Sequence, residues 1–283
     1  MDVRRALRAQ IGEAVDHVGS FASRHLPPHS SLRPPLRALR RRLPAARPKE
    51  PLTRLLYEFA NSYPSVFFMQ IGANDGSKGD YLETYVQARG WRGLLLEPIP
   101  YVFANLQSRH GGNPRLTLVN AAIGDHVGTA QLYYLPKDEE SDLPFWYDAI
   151  ASFRKEVILT HAPWIPDIES RVASIEVPTM TFASLCETHS IDSVDLIQID
   201  TEGYDYEIIR QIDFDRIAPV LILFEHYHLG PDEREACRAY LQGHGYSLIS
   251  NFMDTVAIRA IAEDVRSVNL VKLLTKLRAE NSG

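Results

Sequence analysis

Two cysteines, Cys186 and Cys237, are all that the 283 residues contain. That is too few for a disulfide framework or a cysteine-based zinc site. The pair fits a reducing cytoplasm, the expected location, with a peripheral membrane position as the variant of it. No apolar run approaches the roughly 18 residues of a spanning helix. The N-terminus lacks a continuous apolar stretch, so no secretory leader is expected. Positive charge is also in short supply. A formal net charge of -6 argues against nucleic acid as a partner, because phosphate binding needs a basic face. No internal repeat is evident. What is present, at 45% hydrophobic residues, is enough to bury one full core.

The charge is uneven. Residues 1–50 hold eleven Lys/Arg against four Asp/Glu, and the remainder is acidic. Pro27, Pro28, Pro34, Pro35, Pro44, Pro48 and Pro51 break helix formation there. Residues 1–51 therefore read as a basic, proline-rich leader, poorly ordered or offering weak contact to anionic membrane. From Leu52 the chain becomes regular. A helix over 52–62 precedes a strand over 66–71, then a helix over 80–89, a strand over 93–97, a helix over 100–109 and a strand over 116–122. Residues 129–135 alternate like an edge strand. Residues 136–175 interrupt the rhythm with aromatic and acidic residues and read as a substrate-side insertion. The alternation resumes with strands over 194–200 and 220–225 and helices over 204–211 and 232–242. Strands over 246–251 and 255–259 close the sheet as a hairpin, and residues 261–283 form a C-terminal helix. Buried strands alternating with amphipathic helices predict a doubly wound, mostly parallel α/β sheet over residues 52–260.

The strongest chemical signal is Ile71-Gly72-Ala73-Asn74-Asp75-Gly76, directly after an apolar strand. Glycines let the backbone approach a ligand and adopt positive φ. In open α/β sheets the ligand sits outside the carboxyl ends of the strands. Glu97 ends the next strand, 21 residues after Gly76, where a carboxylate can accept hydrogen bonds from two ribose hydroxyls. A nicotinamide-dependent oxidoreductase would place a second glycine where Asn74 stands, to admit a pyrophosphate. A cofactor without phosphate does not need it. Asn74 and Asp75 could also simply cap the helix that follows.

Four motifs in order carry a resemblance: Gln70–Gly76, Leu96-Glu97-Pro98, Asn120-Ala121-Ala122-Ile123-Gly124, and Ile199-Asp200-Thr201-Glu202-Gly203-Tyr204-Asp205. Together they resemble the FkbM family of S-adenosylmethionine (SAM)-dependent methyltransferases, over roughly residues 64–260. Many relatives carry Asp where this chain has Gln70. The resemblance implies a class I methyltransferase, Rossmann-like fold with a seven-stranded sheet and an antiparallel terminal hairpin. It also implies SAM as cofactor and a hydroxyl acceptor on a sugar, glycan or secondary metabolite. On that basis Gly72, Asn74, Asp75 and Gly76 would hold the methionine part of SAM and Glu97 the ribose. Asn120, Ala121 and Ala122 would flank the adenine, and Asp200 would face the methionine amino group or the acceptor.

A hydroxyl acceptor gains from a general base. His226, just past the strand over 220–225, and Asp200 are the candidates for it. Asp200, Glu202, Glu225 and His226 could supply hard-cation ligands, but their spacing does not demand a metal and none is assigned. A non-catalytic binding protein on the same fold is the remaining alternative.

Overall fold

The computed structural model describes residues 48, 50–76, 81–137, 143, 144 and 146–281. The leader expected over residues 1–51 lies almost wholly outside that range, as do residues 77–80 and part of the insertion.

The first helix among the described residues, α1 (Pro51–Ser62), buries Leu52, Leu55, Leu56 and Phe59. That spacing puts them on one helical face. They join a core with Leu270, Leu274 and Leu277 of the C-terminal helix, here α9 (Val265–Asn281). Burying each such side chain contributes about 1.5–3 kcal/mol, so the pairing closes one flank of the sheet.

The sheet is built from β1 (Phe67–Ile71), β2 (Arg92–Leu96), β3 (Leu116–Val119), and later β8 (Leu196–Ile199), β9 (Leu221–Glu225), β10 (Tyr246–Ser250) and β11 (Asp254–Arg259). Their order is β10-β11-β9-β8-β1-β2-β3. The five strands from β3 to β9 are parallel, whereas β11 runs antiparallel to both β9 and β10. Strands β8 and β9 are buried at every residue, as expected for strands covered on both faces. Between the strands lie α2 (Glu83–Arg89), α3 (Pro100–His110), α6 (Phe182–Thr188), α7 (Asp205–Arg210) and α8 (Pro231–Gly243). Gly90 ends α2 with φ +66, and Pro100 opens α3, where a missing N–H costs nothing.

The alternating segment expected at a sheet edge belongs elsewhere. Strand β5 (Gly128–Tyr134) pairs with β7 (Ala173–Met180) and β6 (Ala151–Ser152) in a second sheet of order β4-β7-β5-β6, which begins with β4 (Ala122–Ile123). The expected third strand over 116–122 is likewise split: β3 ends at Val119, and Ala122 already belongs to the second sheet. Leu132 and Val177 of this sheet pack with Ile99 and Val102 beside α3. Two short helices, α4 (Lys155–Leu159) and α5 (Ile168–Arg171), fill the insertion and share their own core of Ile150, Ile158, Ile165 and Ile168.

Register places the site. Ile71 pairs with Leu96 and with Ile199, Leu96 with Val119, and Ile199 with Phe224. The next residue on each strand is Gly72, Glu97, Asn120, Asp200 or Glu225. All five strand ends therefore form one ledge. Strand order reverses between β1 and β8, and a crevice opens at such a switch point.

Candidate functional site

A cavity of about 890 Å³, including its open mouth, lies on this ledge. The glycine turn forms its floor. The amides of Gly72 and Ala73 both donate to the Leu96 carbonyl, at 3.1 and 2.8 Å, and the Asp200 amide donates to the Ile71 carbonyl at 2.9 Å. Gly72 has φ +83, and a Cβ there would stand 1.7 Å from the Asp200 carbonyl oxygen. Only glycine allows the β1 and β8 tips to come this close.

Glu97 is buried at the β2 tip, 5% exposed. Its Oε2 accepts the Asn74 amide at 3.0 Å and its Oε1 accepts the Ile99 amide at 2.9 Å. Burial pushes its carboxyl up to about 7, against the two amide bonds, which lower it; nearby Asp75 adds to the rise. Asn74 itself sits at φ +49, so the loop is held in a left-handed turn by this carboxylate.

The other expected cofactor residues divide. Gly72, Asn74, Glu97, Ala121, Ala122 and Asp200 line the cavity, whereas Asp75, Gly76 and Asn120 are not among its lining residues. The Asp75 amide donates to Asn74 Oδ1 at 2.7 Å, and its carbonyl accepts Arg109 Nε at 3.1 Å. Gly76, at φ +69, makes room for His110 and Leu106. Asn120 Nδ2 donates to the carbonyls of Glu97 at 2.8 Å and Pro98 at 3.0 Å. These three residues shape the loop and the turn that carry Glu97.

The opposite wall is acidic. Asp200 lines the cavity and is open to it. Its carboxyl is held well above the usual range, first by desolvation and then by Glu202, Asp205, Asp254 and Glu97. Glu225 is 6% exposed, and its Oε2 has no hydrogen-bond partner. Burial, then Glu202 and Asp200, push it up to about 12. Asp205 accepts the Thr201 hydroxyl at 3.0 Å; burial outweighs that bond and raises it to about 7.

The structure separates the two expected bases. Asp200 lines the cavity. His226 does not: its amide donates to the Met253 carbonyl at 2.9 Å, and its Nδ1 lies 3.0 Å from Thr255 Oγ1. Both bonds tie it to the β10–β11 hairpin. Burial, then Arg234 and Arg238, lower its pKa. Two residues on, His228 Nε2 lies 2.9 Å from Glu202 Oε2, with the His161 ring 5.0 Å away between centroids.

Sequence reasoning missed Gln198, Leu132, Ala149, Ala151 and Phe153, which also line the cavity. Gln198 carried a signal: it lies two residues before Asp200 on the same parallel strand. The others come from the second sheet and the turn before it, whose position only the tertiary fold reveals.

Residues 70–248 match the methyltransferase FkbM domain family. Among curated proteins, the 2-O-methyltransferase NoeI of Sinorhizobium fredii is 27% identical over 148 residues, which is 52% of this chain and 57% of that protein. The chain thus spans little more than half the length of that relative. Among solved structures, the precorrin-6y C5,15-methyltransferase of Geobacter metallireducens aligns with a TM-score of 0.38 at 14% identity, covering 76% of this chain and 94% of the other. The methyltransferase FkbM of Methylobacillus flagellatus aligns with a TM-score of 0.42 at 11% identity, covering 71% and 47%.

Proposed function

The chain belongs to the FkbM methyltransferase family, and from that premise we propose that it transfers the methyl group of SAM to a hydroxyl of a sugar, glycan or secondary metabolite. The observation that carries the cofactor is the pairing, across one cavity, of Glu97 at the β2 tip with Asp200 at the β8 tip. Each oxygen of Glu97 already takes one amide. A carboxylate has about four acceptor positions, so two remain for ribose hydroxyls. Gln198 Oε1 is buried and unpartnered on the cavity wall. Together with Asp200 it suits the ammonium of a bound methionine group. Ile99, Ala121, Ala122 and Leu132 supply an apolar wall for an adenine. Among the described residues no Lys or Arg lines the cavity, and a pyrophosphate would find no cation there.

SAM supplies a methyl group already activated by its sulfonium. The protein's task is to align the acceptor oxygen, exclude water and take up the acceptor proton. Asp200, which lines the cavity, is the candidate for the last role. Ala151 of β6 and Phe153 just after it also line the cavity. An oxygen acceptor is supported by the 2-O-methyltransferase relative.

Calorimetric titration with SAM and with NADH tests the cofactor: SAM binds and NADH does not. A screen of hydroxylated acceptors with methyl-labelled SAM tests the reaction. Product methyl groups resistant to mild base are ethers and fit a hydroxyl acceptor. Base-labile esters would place the methyl on a carboxyl group and overturn that part of the reading.

A further inference from the structure

We propose that His161, Glu202 and His228 form a binding site for one divalent first-row transition-metal ion beside the Glu202 wall of the cavity. This goes beyond the methyltransferase reading and does not depend on it. One ligand atom from each of the three residues lies within 4.8 Å of the others. His228 Nε2 and Glu202 Oε2 are 2.9 Å apart. Two ligands at right angles on an ion with bonds of about 2.1 Å stand about 3.0 Å apart, and opposed ligands about 4.2 Å. The cluster therefore needs only small side-chain rotations to close on an ion.

The histidines are oriented as ligands. His161 Nδ1 lies 3.2 Å from the Ile158 carbonyl oxygen. An N–H donated there leaves the lone pair on Nε2, the usual outer arrangement around metal-bound histidine. Rings pack around both imidazoles: Trp146 at 5.7 Å and Trp164 at 6.3 Å from His161, and Tyr227 at 4.9 Å from His228, between centroids. Glu202 is held at φ +52, a conformation that costs energy in a residue with a side chain. The Ser152 hydroxyl donates to its carbonyl at 2.7 Å. Gly203, at φ +94, lets His228 and Val157 approach that turn.

Charge gives an independent argument. Asp200, Glu202 and Glu225 also bring carboxylate oxygens within 4.8 Å of one another. Glu225 is 6% exposed with Oε2 unpartnered. Among the described residues no Lys or Arg pairs with any of the three. Glu225 is the buried member of the three; a buried carboxylate without a countercharge is costly to ionise, and a dication at Glu202 offsets that cost. Two imidazoles with one carboxylate favour Zn²⁺, Fe²⁺, Mn²⁺ or Co²⁺ over Mg²⁺ or Ca²⁺. Three protein ligands leave positions open for water or an acceptor hydroxyl.

The test uses the full chain, stripped with chelator and titrated with Co²⁺ alone, read by visible ligand-field absorption and by calorimetry. One Co²⁺ per chain is expected, with bands that indicate nitrogen ligands. His161→Ala and His228→Ala should each weaken Co²⁺ by about 100-fold or more, and His244→Ala should leave it unchanged. His161→Gln replaces His161→Ala if circular dichroism shows that the alanine variant is unfolded. A folded wild-type chain that binds no Co²⁺, or binds it equally well in both histidine variants, overturns the proposal and leaves Glu202 and His228 as an ion pair. SAM calorimetry on the same samples separates the two readings: SAM binding without Co²⁺ binding refutes only the metal site, and the converse refutes only the cofactor reading.

Discussion

Glu97→Ala is the sharpest perturbation available at this site. The carboxylate does two things at once. It holds the glycine turn through Asn74 and the β2–α3 turn through Ile99, and it offers its remaining lone pairs to the ribose. Hydrogen bonds to a charged group contribute about 1.5–3 kcal/mol, so SAM dissociation should rise about 10- to 150-fold. Fold stability should change less than the lost bonds suggest. Two amides lose their acceptor, at about 1–3 kcal/mol each where they remain buried. Against that, a carboxyl raised from 4.5 to about 7 carries a penalty of about 3 kcal/mol when ionised. The two terms partly offset above neutrality. Glu97→Gln is no neutral control, because one amide hydrogen would face the Asn74 or Ile99 N–H; an intermediate loss is expected. Calorimetry measures SAM affinity and thermal denaturation measures stability. A folded Glu97→Ala variant with wild-type SAM affinity would refute the ribose assignment.

The same carboxyl sets a pH dependence with opposite signs. Its folded value, about 7, exceeds the ordinary 4.5, so its contribution to ligand-free stability is full below about 4.5 and is lost as pH rises to about 7, whereas SAM affinity should rise over the same interval; parallel trends would show that another group governs binding. Gly72→Ala should destabilise the fold by several kcal/mol, because its Cβ would meet the Asp200 carbonyl at 1.7 Å; an unchanged melting temperature would mean that the two strand tips are not in contact. Asp200→Asn should lower kcat by about 10²–10⁴-fold, while His226→Ala, which removes a ring tied to Thr255 of the hairpin, should lower it far less; the reverse order in a steady-state assay would return the base role to His226.

The parallel sheet was legible because its strands are short, continuous apolar runs separated by helical periodicity. Each strand end was marked by a residue of distinct chemistry: Gly72, Glu97, Asp200. The hairpin of β10 and β11 was legible from two apolar runs with a short break between them. The second sheet was not. Strand β7 holds Pro178, which argues against a strand in the middle of a sheet. Its alternation of Ile175, Val177 and Thr179 begins inside a segment that otherwise reads as irregular. Its partner β5 was visible as a strand, but period-2 alternation does not say which sheet a strand joins. The His161 cluster was hidden for a different reason. His161 and His228 are 67 residues apart, and only the packing of α4 over the Glu202 turn brings them together.

The distribution of charge at the ledge also bears on which cofactor the fold can hold. A Rossmann-like crevice by itself accepts dinucleotides as readily as SAM. Here Asp200, Glu202, Asp205 and Glu225 crowd the β8–β9 end, and burial raises three of them, Asp200, Asp205 and Glu225, well above their ordinary range. A pyrophosphate brought to this wall would add negative charge where ionisation is already costly. A sulfonium and an ammonium would instead lower the cost of ionising those carboxyls. Binding of such a cation should therefore be accompanied by proton release from the acidic wall. Calorimetry in buffers of different ionisation enthalpy measures that release directly. SAM binding with no proton exchange near neutral pH would show that these carboxyls do not meet the cofactor's positive charge.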